Sequence, residues 1–102
     1  MSMGSTQPFR VSATATLTAG AASANLPLVG TGEAVLIYNA SPAIAFVRFG
    51  TDMTVTATAA DMPVPPGMRL LMHTGGFATT AAAVLASGNG IVFFSRGEGT
   101  VY

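Results

Sequence analysis

The amino-acid sequence predicts an all-β, single-domain protein, a jelly-roll-like β-sandwich of about eight strands with little or no helix. Two observations support this fold class. Apolar residues alternate with serine or threonine, most clearly in VSATATLTAG (Val11–Gly20), and a period of two is typical of half-buried strands. Apolar runs also recur about every 8–12 residues between turn residues, as in sandwiches and small barrels. Eight strands suit a jelly roll, whose two sheets limit exposed edges.

The chain length and the N-terminal composition predict one folded unit with an arm. A chain of 102 residues has the size of one ordinary domain. Met1–Pro8 is small and polar and predicts a flexible arm without regular structure, so the sandwich is expected to span residues 9–102.

The first half of the sequence predicts five strands. Alternation predicts strands over Phe9–Leu17 and Ala22–Leu28, and Pro27 indicates an edge strand or a strand end. After the turn Gly30-Thr31-Gly32, the continuous apolar run Ala34–Asn39 is typical of a central strand buried on both faces. The two remaining strands of this half are Ala43–Phe49, which the short Ala40-Ser41-Pro42 turn makes a hairpin partner of Ala34–Asn39, and Met53–Ala59.

The second half predicts a loop followed by three strands. Asp61–Gly67 holds three prolines, so we expect an extended loop there. Gly88-Asn89-Gly90 favours a tight hairpin between the strands on either side of it. The predicted strands are Met68–His73, Ala81–Ala86 and Ile91–Ser95, followed by the glycine-broken tail Arg96–Tyr102 with a possible final bridge.

The composition argues against several classes of function. Only 8% of residues are charged, there is no lysine, and the formal net charge is zero, so a basic face for nucleic acid is not expected. Cysteine is absent, which excludes disulfides and thiolate chemistry. We also expect no membrane span, no signal peptide and synthesis in a cytoplasm. A neutral surface gives a free monomer little colloidal protection, which favours an assembly subunit.

No motif predicts catalysis, a cofactor or a metal. His73 is the only histidine and ends a predicted strand, which favours a surface position over a metal or catalytic role. Asp52 and Asp61 flank a predicted strand, too far apart for paired-carboxylate chemistry, and each lies in a turn context that favours backbone capping. Gly30-Thr31-Gly32 lacks the rest of a phosphate loop, and the sequon at Asn39 is interpreted as chance.

Three stretches together resemble small structural proteins of tailed bacteriophages. They are GTGEAVLIYNASPAIAFVRFG (Gly30–Gly50), VPPGMRLL (Val64–Leu71) and AAAVLASGNGIVFFSRGEG (Ala81–Gly99). The resemblance covers most of the chain and consists of strands and turns rather than a catalytic motif. It implies a capsid decoration, or cement, protein on the outer surface of the phage head, made in the host bacterial cytoplasm. The implied partners are the major capsid protein and further copies of this chain, as a homodimer or homotrimer.

The resemblance leaves other virion roles open. Similar small β domains occur in head fibres and tail components, and a host-recognition or carbohydrate-binding module is the main alternative. Sugar sites usually place an exposed aromatic ring beside polar groups. Tryptophan is absent here and most phenylalanines fit core alternation, so Tyr38 and Tyr102 are the remaining candidates.

The arginines are the predicted contact residues because guanidinium groups suit interfaces and charges are rare in this chain. The alternative is that all four arginines only solvate the surface. The residues predicted to contact a protein partner are Phe9, Arg10, Arg48, Arg96 and Tyr102.

Overall fold

The computed structural model describes residues 8–99 and confirms the all-β class, with no helix in that range. The predicted arm over residues 1–8, apart from Pro8, and Tyr102 lie outside the described residues. Eight strands follow in order: β1 (Arg10–Ala19), β2 (Ala24–Pro27), β3 (Ala34–Asn39), β4 (Ala45–Gly50), β5 (Met62–Val64), β6 (Arg69–His73), β7 (Thr80–Leu85) and β8 (Gly90–Glu98).

The strands form two four-stranded antiparallel sheets with jelly-roll connectivity. The first sheet has the order β1-β8-β3-β6 and the second the order β2-β7-β4-β5. The pairs β1–β8, β2–β7, β3–β6 and β4–β5 are nested, so the chain is one long hairpin rolled into two facing sheets. The predicted jelly-roll arrangement is therefore confirmed.

The core lies between the two sheets and follows the alternation of the sequence. Leu17 on β1 and Val92 on β8 point inward as a register pair, while their threonine and isoleucine neighbours on β1 and β8 point outward. Phe94 is almost fully buried, and its ring meets the edge of Phe49 at a centroid distance of 6.1 Å. Ala81, Ala83 and Leu85 supply the inner surface of β7.

Two predicted hairpins are wrong. β3 and β4 lie in different sheets, and so do β7 and β8, so the turns after Asn39 and around Gly88-Asn89-Gly90 carry the chain across the sandwich. β3 is also not buried on both faces, because Leu36 is half-buried and Tyr38 is exposed on its outward side. A turn motif is a local signal, whereas strand pairing is decided by which sheet buries the apolar side of each strand.

Asn39 holds the crossing between β3 and β4 in place. Its fully buried side chain donates from Nδ2 to the carbonyls of Ala43 and Val64, each at 2.8 Å. Its Oδ1 accepts from the backbone N–H of Ser41 at 2.9 Å and from the Ser41 hydroxyl at 2.6 Å. All four bonds tie the end of β3 to the following turn and to β5. This burial excludes glycan attachment at Asn39 in the folded chain, in agreement with the chance interpretation of the sequon.

The predicted strand Met53–Ala59 is wrong. Residues 51–60 form no strand but cross the outward side of the second sheet, where Asn25 Nδ2 of β2 donates to the carbonyls of Met53 at 2.7 Å and Val55 at 3.2 Å. Val55 lies directly over Gly50, and Ala57 is buried. Apolar and threonine residues do alternate in this segment. Its apolar side chains pack on the second sheet, however, and its backbone pairs with no strand. Ala82, on the outward side of β7, is consequently fully buried.

The proline-rich segment contains a strand that the sequence does not predict. β5 is only three residues long and pairs with β4 at the edge of the second sheet, with Pro63 opposite Phe46. Proline is compatible with an edge strand, because one side of such a strand needs no N–H for a ladder. The predicted loop is therefore confined to residues around Pro65, Pro66 and Gly67. Pro27 ends β2, which is an edge strand as predicted.

Candidate functional site

The two sheets differ in what covers them on the side away from the core. Residues 51–60 of the same chain cover part of the second sheet and bury Ala82, while Arg48 on the same side stays exposed. The corresponding side of the first sheet carries exposed and half-exposed side chains across all four strands. We call this side the outer face. Its residues are Thr14, Thr16, Thr18, Leu36, Tyr38, Arg69, Leu71, His73, Ile91, Phe93 and Ser95.

An open groove of about 480 Å³ lies at the centre of the outer face. The register places Phe93 of β8 beside Tyr38 of β3 and Tyr38 beside Arg69 of β6. The rings of Tyr38 and Phe93 stack with centroids 5.9 Å apart, and Arg69 Cζ lies 6.0 Å from the centre of the Tyr38 ring. These are the contacts that cross-strand neighbours on one face make.

A hydroxyl pair completes the groove. The Oγ atoms of Thr14 and Ser95, which are register partners on β1 and β8, lie 2.8 Å apart. The site therefore combines an aromatic surface, one guanidinium and two hydroxyls. Such a site binds by apolar contact, cation–π contact and neutral hydrogen bonding rather than by strong charge.

Arg96 is the one predicted interface arginine that the structure places inside the molecule. Its side chain is 6% exposed, and Nε donates to the carbonyl of Gly32 at 3.0 Å. Nη2 also lies 3.4 Å from the carbonyl of Gly75 and 3.5 Å from that of Gly76. The guanidinium thus joins the turn before β3 to the turn after β6. The alternative that all four arginines solvate the surface is wrong for Arg96.

The other predicted contact residues do not form one site. Arg48 lies on the outward side of the second sheet, where its 58% exposed side chain forms an ion pair with Asp61 at 3.5 Å. Arg10 is exposed at the start of β1, opposite Glu98, and Phe9 before it is half-buried. Arg48 is therefore separated by the core from the outer face. The role of these residues in partner contact stays a prediction.

The structure also exposes a large apolar side chain, Phe77, that the sequence does not predict as a contact residue. Phe77 is 85% exposed and follows Gly75-Gly76. It borders a second open groove of about 340 Å³, together with Phe49 and Met72. The available sequence signal is an aromatic residue directly after two glycines, where no strand can bury it. Phe93 and Arg69 give no such signal, because their site exists only through strand pairing.

Asp52 and Asp61 accept hydrogen bonds in turns, as predicted. The hydroxyl of Thr54, and then its backbone N–H, donate to Asp52 Oδ1 and hold the pKa of this exposed carboxyl below its ordinary value of 3.8. Asp61 Oδ2 accepts from the backbone N–H of Thr58 at 2.8 Å. His73 lies at the exposed end of β6. Among residues 8–99, no group of three histidine or acidic side chains is placed to hold a metal ion.

Comparisons with protein-family models, with curated proteins and with solved structures find no match to this chain. Over the part of the chain that the structure describes, no helix is long and apolar enough to cross a membrane. Over residues 8–99, the class that the fold defines is a jelly-roll domain in which residues 51–60 partly cover one sheet and no described segment covers the outer face of the other.

Proposed function

We propose that this protein is a structural protein of a tailed-phage virion, a decoration protein that binds the major capsid protein through its outer face. The observation that carries the proposal is the outer face, which has few charges and is covered by no described segment, whereas residues 51–60 partly cover the second sheet. The phage and capsid part of the proposal rests on the sequence resemblance over Gly30–Gly99. The proposed location is the outside of the head, after synthesis in the bacterial cytoplasm.

The composition of the outer face supports a protein partner. Among the described residues, Arg69 and His73 are its only ionisable groups apart from the tyrosine hydroxyl, and Tyr38 and Phe93 occupy its centre. Tyrosine, phenylalanine and arginine are enriched in protein interfaces, and central aromatic residues often supply most of the binding energy. Jelly rolls occur in viral capsid domains, and this is a fold-level analogy only.

Repetition on a capsid supplies the energetic reason for such a subunit. A protein that binds only the assembled shell stabilises that shell by mass action. Two linked copies that reach neighbouring sites gain avidity without any new type of contact. Self-association, as a dimer or trimer, is accordingly part of the proposal.

The experiment compares two lysine substitutions at equally exposed apolar positions. Tyr38 on the outer face and Ile44 before β4 are 38% and 40% exposed. Tyr38→Lys is expected to weaken co-sedimentation with heads by about tenfold or more, because an unpaired ammonium would be buried in the interface. Ile44→Lys is expected to bind like the wild type. Circular dichroism checks that both variants remain folded.

Two results would overturn the proposal. One is equal binding of heads by the wild type and Tyr38→Lys. The other is cryo-electron microscopy density for this protein on the tail, or nowhere on the virion.

A carbohydrate-binding module of a head fibre or tail is the second candidate function, and the groove is the observation that favours it. The stacked rings of Tyr38 and Phe93, with the hydroxyls of Thr14 and Ser95 beside them, provide an aromatic surface and nearby polar groups. Sugars bind to such combinations. Glycan-array binding by the isolated protein that is lost in Tyr38→Lys, together with no affinity for heads, would favour this candidate over decoration.

A further inference from the structure

The four edge strands of the sandwich are unequal. β2 has four residues and ends at Pro27, β5 has three residues with Pro63 at its centre, and β6 has five residues with Arg69 and His73 at its ends. Short length, proline and charge are the features by which proteins prevent unwanted pairing at a sheet edge. β1 is ten residues long and has no proline, and its only charged residue is Arg10 at its first position. It is the one long edge without such protection among the described strands.

Part of this edge is left unpaired in the described chain. β1 pairs with β8 along one edge, and near its start Gly30 and Thr31 contact Ser12 and Ala13, with the Thr31 N–H donating to Ser12 Oγ at 3.1 Å. From Thr14 to Ala19, the edge of β1 that faces away from β8 pairs with no described strand. In an antiparallel ladder, alternate residues direct their N–H and C=O groups away from the neighbouring strand. Those groups of Thr14–Ala19 therefore form a ready pairing edge.

We propose that β1 of a second copy of this chain pairs antiparallel with this edge. The strand is self-complementary, because its threonine and apolar residues alternate and any shift by two residues brings like faces together. No like charges meet opposite each other. Antiparallel pairing also places the two Arg10 side chains at opposite ends of the shared edge, whereas parallel pairing would place them side by side.

The resulting dimer has one continuous sheet of eight strands. The two outer faces lie on the same side of that sheet, so the dimer presents two Tyr38 grooves in one direction. This dimer is one form of the self-association included in the proposed function, and its role on the head rests on that function. Tyr38 lies on β3, two strands away from β1. Loss of head binding in Tyr38→Lys therefore leaves the dimer unaffected, and the two proposals fail independently.

The chain has no cysteine, so single cysteines report the pairing directly. A two-fold axis perpendicular to the sheet must pair outer-face residues with outer-face residues. Two registers centred on the free edge satisfy this condition, one with Thr16 opposite Thr16 and one with Thr16 opposite Thr18. Directly opposite Cα atoms are about 4.5–5.5 Å apart in such ladders, within the range that a disulfide spans.

The experiment oxidises the full-length variants Thr16→Cys and Thr18→Cys, separately and as a mixture, with Thr56→Cys as the control. Thr56 is an exposed threonine in the segment that covers the second sheet. We expect at least about fivefold more disulfide-linked dimer than in the control, from Thr16→Cys alone or from its mixture with Thr18→Cys. Light scattering on the unoxidised wild type is expected to give the mass of a dimer.

Three results would overturn the inference. The first is a monomeric wild type by light scattering, and the second is cross-linking at the β1 positions no greater than at Thr56→Cys. The third is a dimer that forms only after deletion of residues 2–7, since that segment would then be the occupant of the edge.

Discussion

At the scale of single residues, buried polar side chains organise the connections that the sheets cannot provide. Asn39 and Arg96 are both buried, and both bind backbone groups in turns. The arginine joins two turns at one end of the sandwich, and the asparagine joins three segments around the β3–β4 crossing. The role of Arg96 is not visible in local sequence, because Gly32 lies 64 residues away. Asn39 makes three of its four bonds to Ser41 and Ala43 nearby, and only its bond to Val64 depends on a distant residue.

We predict that Asn39→Ala destabilises the fold by about 2–4 kcal/mol. The substitution leaves the Ser41 N–H and the Val64 carbonyl without their partners in the interior, and each unpaired group costs about 1–3 kcal/mol. Urea denaturation measures the free energy of unfolding. Asn89→Ala is the control, because Asn89 is exposed in a turn. A loss for Asn39→Ala no larger than for Asn89→Ala would contradict the role assigned to this network.

The carboxyl of Asp52 provides a prediction about pH. Its pKa lies below 3.8 because the Thr54 hydroxyl and backbone N–H donate to the charged form. The stabilisation of this turn is therefore present above the unfolded-state pKa and is lost as the pH falls through the lower folded-state pKa. In a carboxyl NMR titration, Thr54→Val is expected to move the Asp52 midpoint upward, toward 3.8. An unchanged midpoint would exclude the hydroxyl as the main cause.

At the scale of elements, alternation identifies amphipathic extended segments but not the surfaces on which they pack. VSATATLTA lies in β1, whereas the equally regular MTVTATA lies in the segment over the second sheet. The two segments differ in whether a strand is available for backbone pairing. β1 pairs with β8 along its length, while residues 51–60 cross a sheet whose ladder positions other strands already occupy.

We predict that Asn25→Ala loosens this covering segment selectively. The substitution removes two hydrogen bonds to the carbonyls of Met53 and Val55, so hydrogen exchange within residues 51–60 is expected to accelerate. The global free energy of unfolding is expected to fall by only about 1 kcal/mol, because these partly exposed carbonyls regain bonds to water. Thr56→Ala serves as the control within the same segment. Acceleration spread evenly over all strands would instead indicate general destabilisation.

At the scale of the whole molecule, the covered and uncovered sheets give the protein two sides with different properties. Arg48 and Asp61 lie on the covered side, and the aromatic groove lies on the other. The salt dependence of binding therefore distinguishes two kinds of partner. One binds the arginines predicted from the sequence, and the other binds the outer face.

We predict that head binding changes by less than about threefold between low salt and about 0.5 M salt. The outer face contributes few charges, and salt screens mainly interactions between exposed charges. Co-sedimentation at several salt concentrations measures the effect. A steep loss of binding with rising salt would point to Arg10 and Arg48 as the contact residues instead.

The sequence by itself determined the fold class, most strand positions and the turn roles of Asp52 and Asp61, because these follow from local periodicity and turn chemistry. Only the tertiary structure decided which strands pair, that Arg96 is buried, and that Tyr38 stacks on Phe93. These features depend on residues distant in the chain. Strand pairing follows from burying the apolar sides of the two sheets against each other, and no local pattern shows which sheet a strand will join. The stacking of Tyr38 on Phe93 and the burial of Arg96 follow from that pairing.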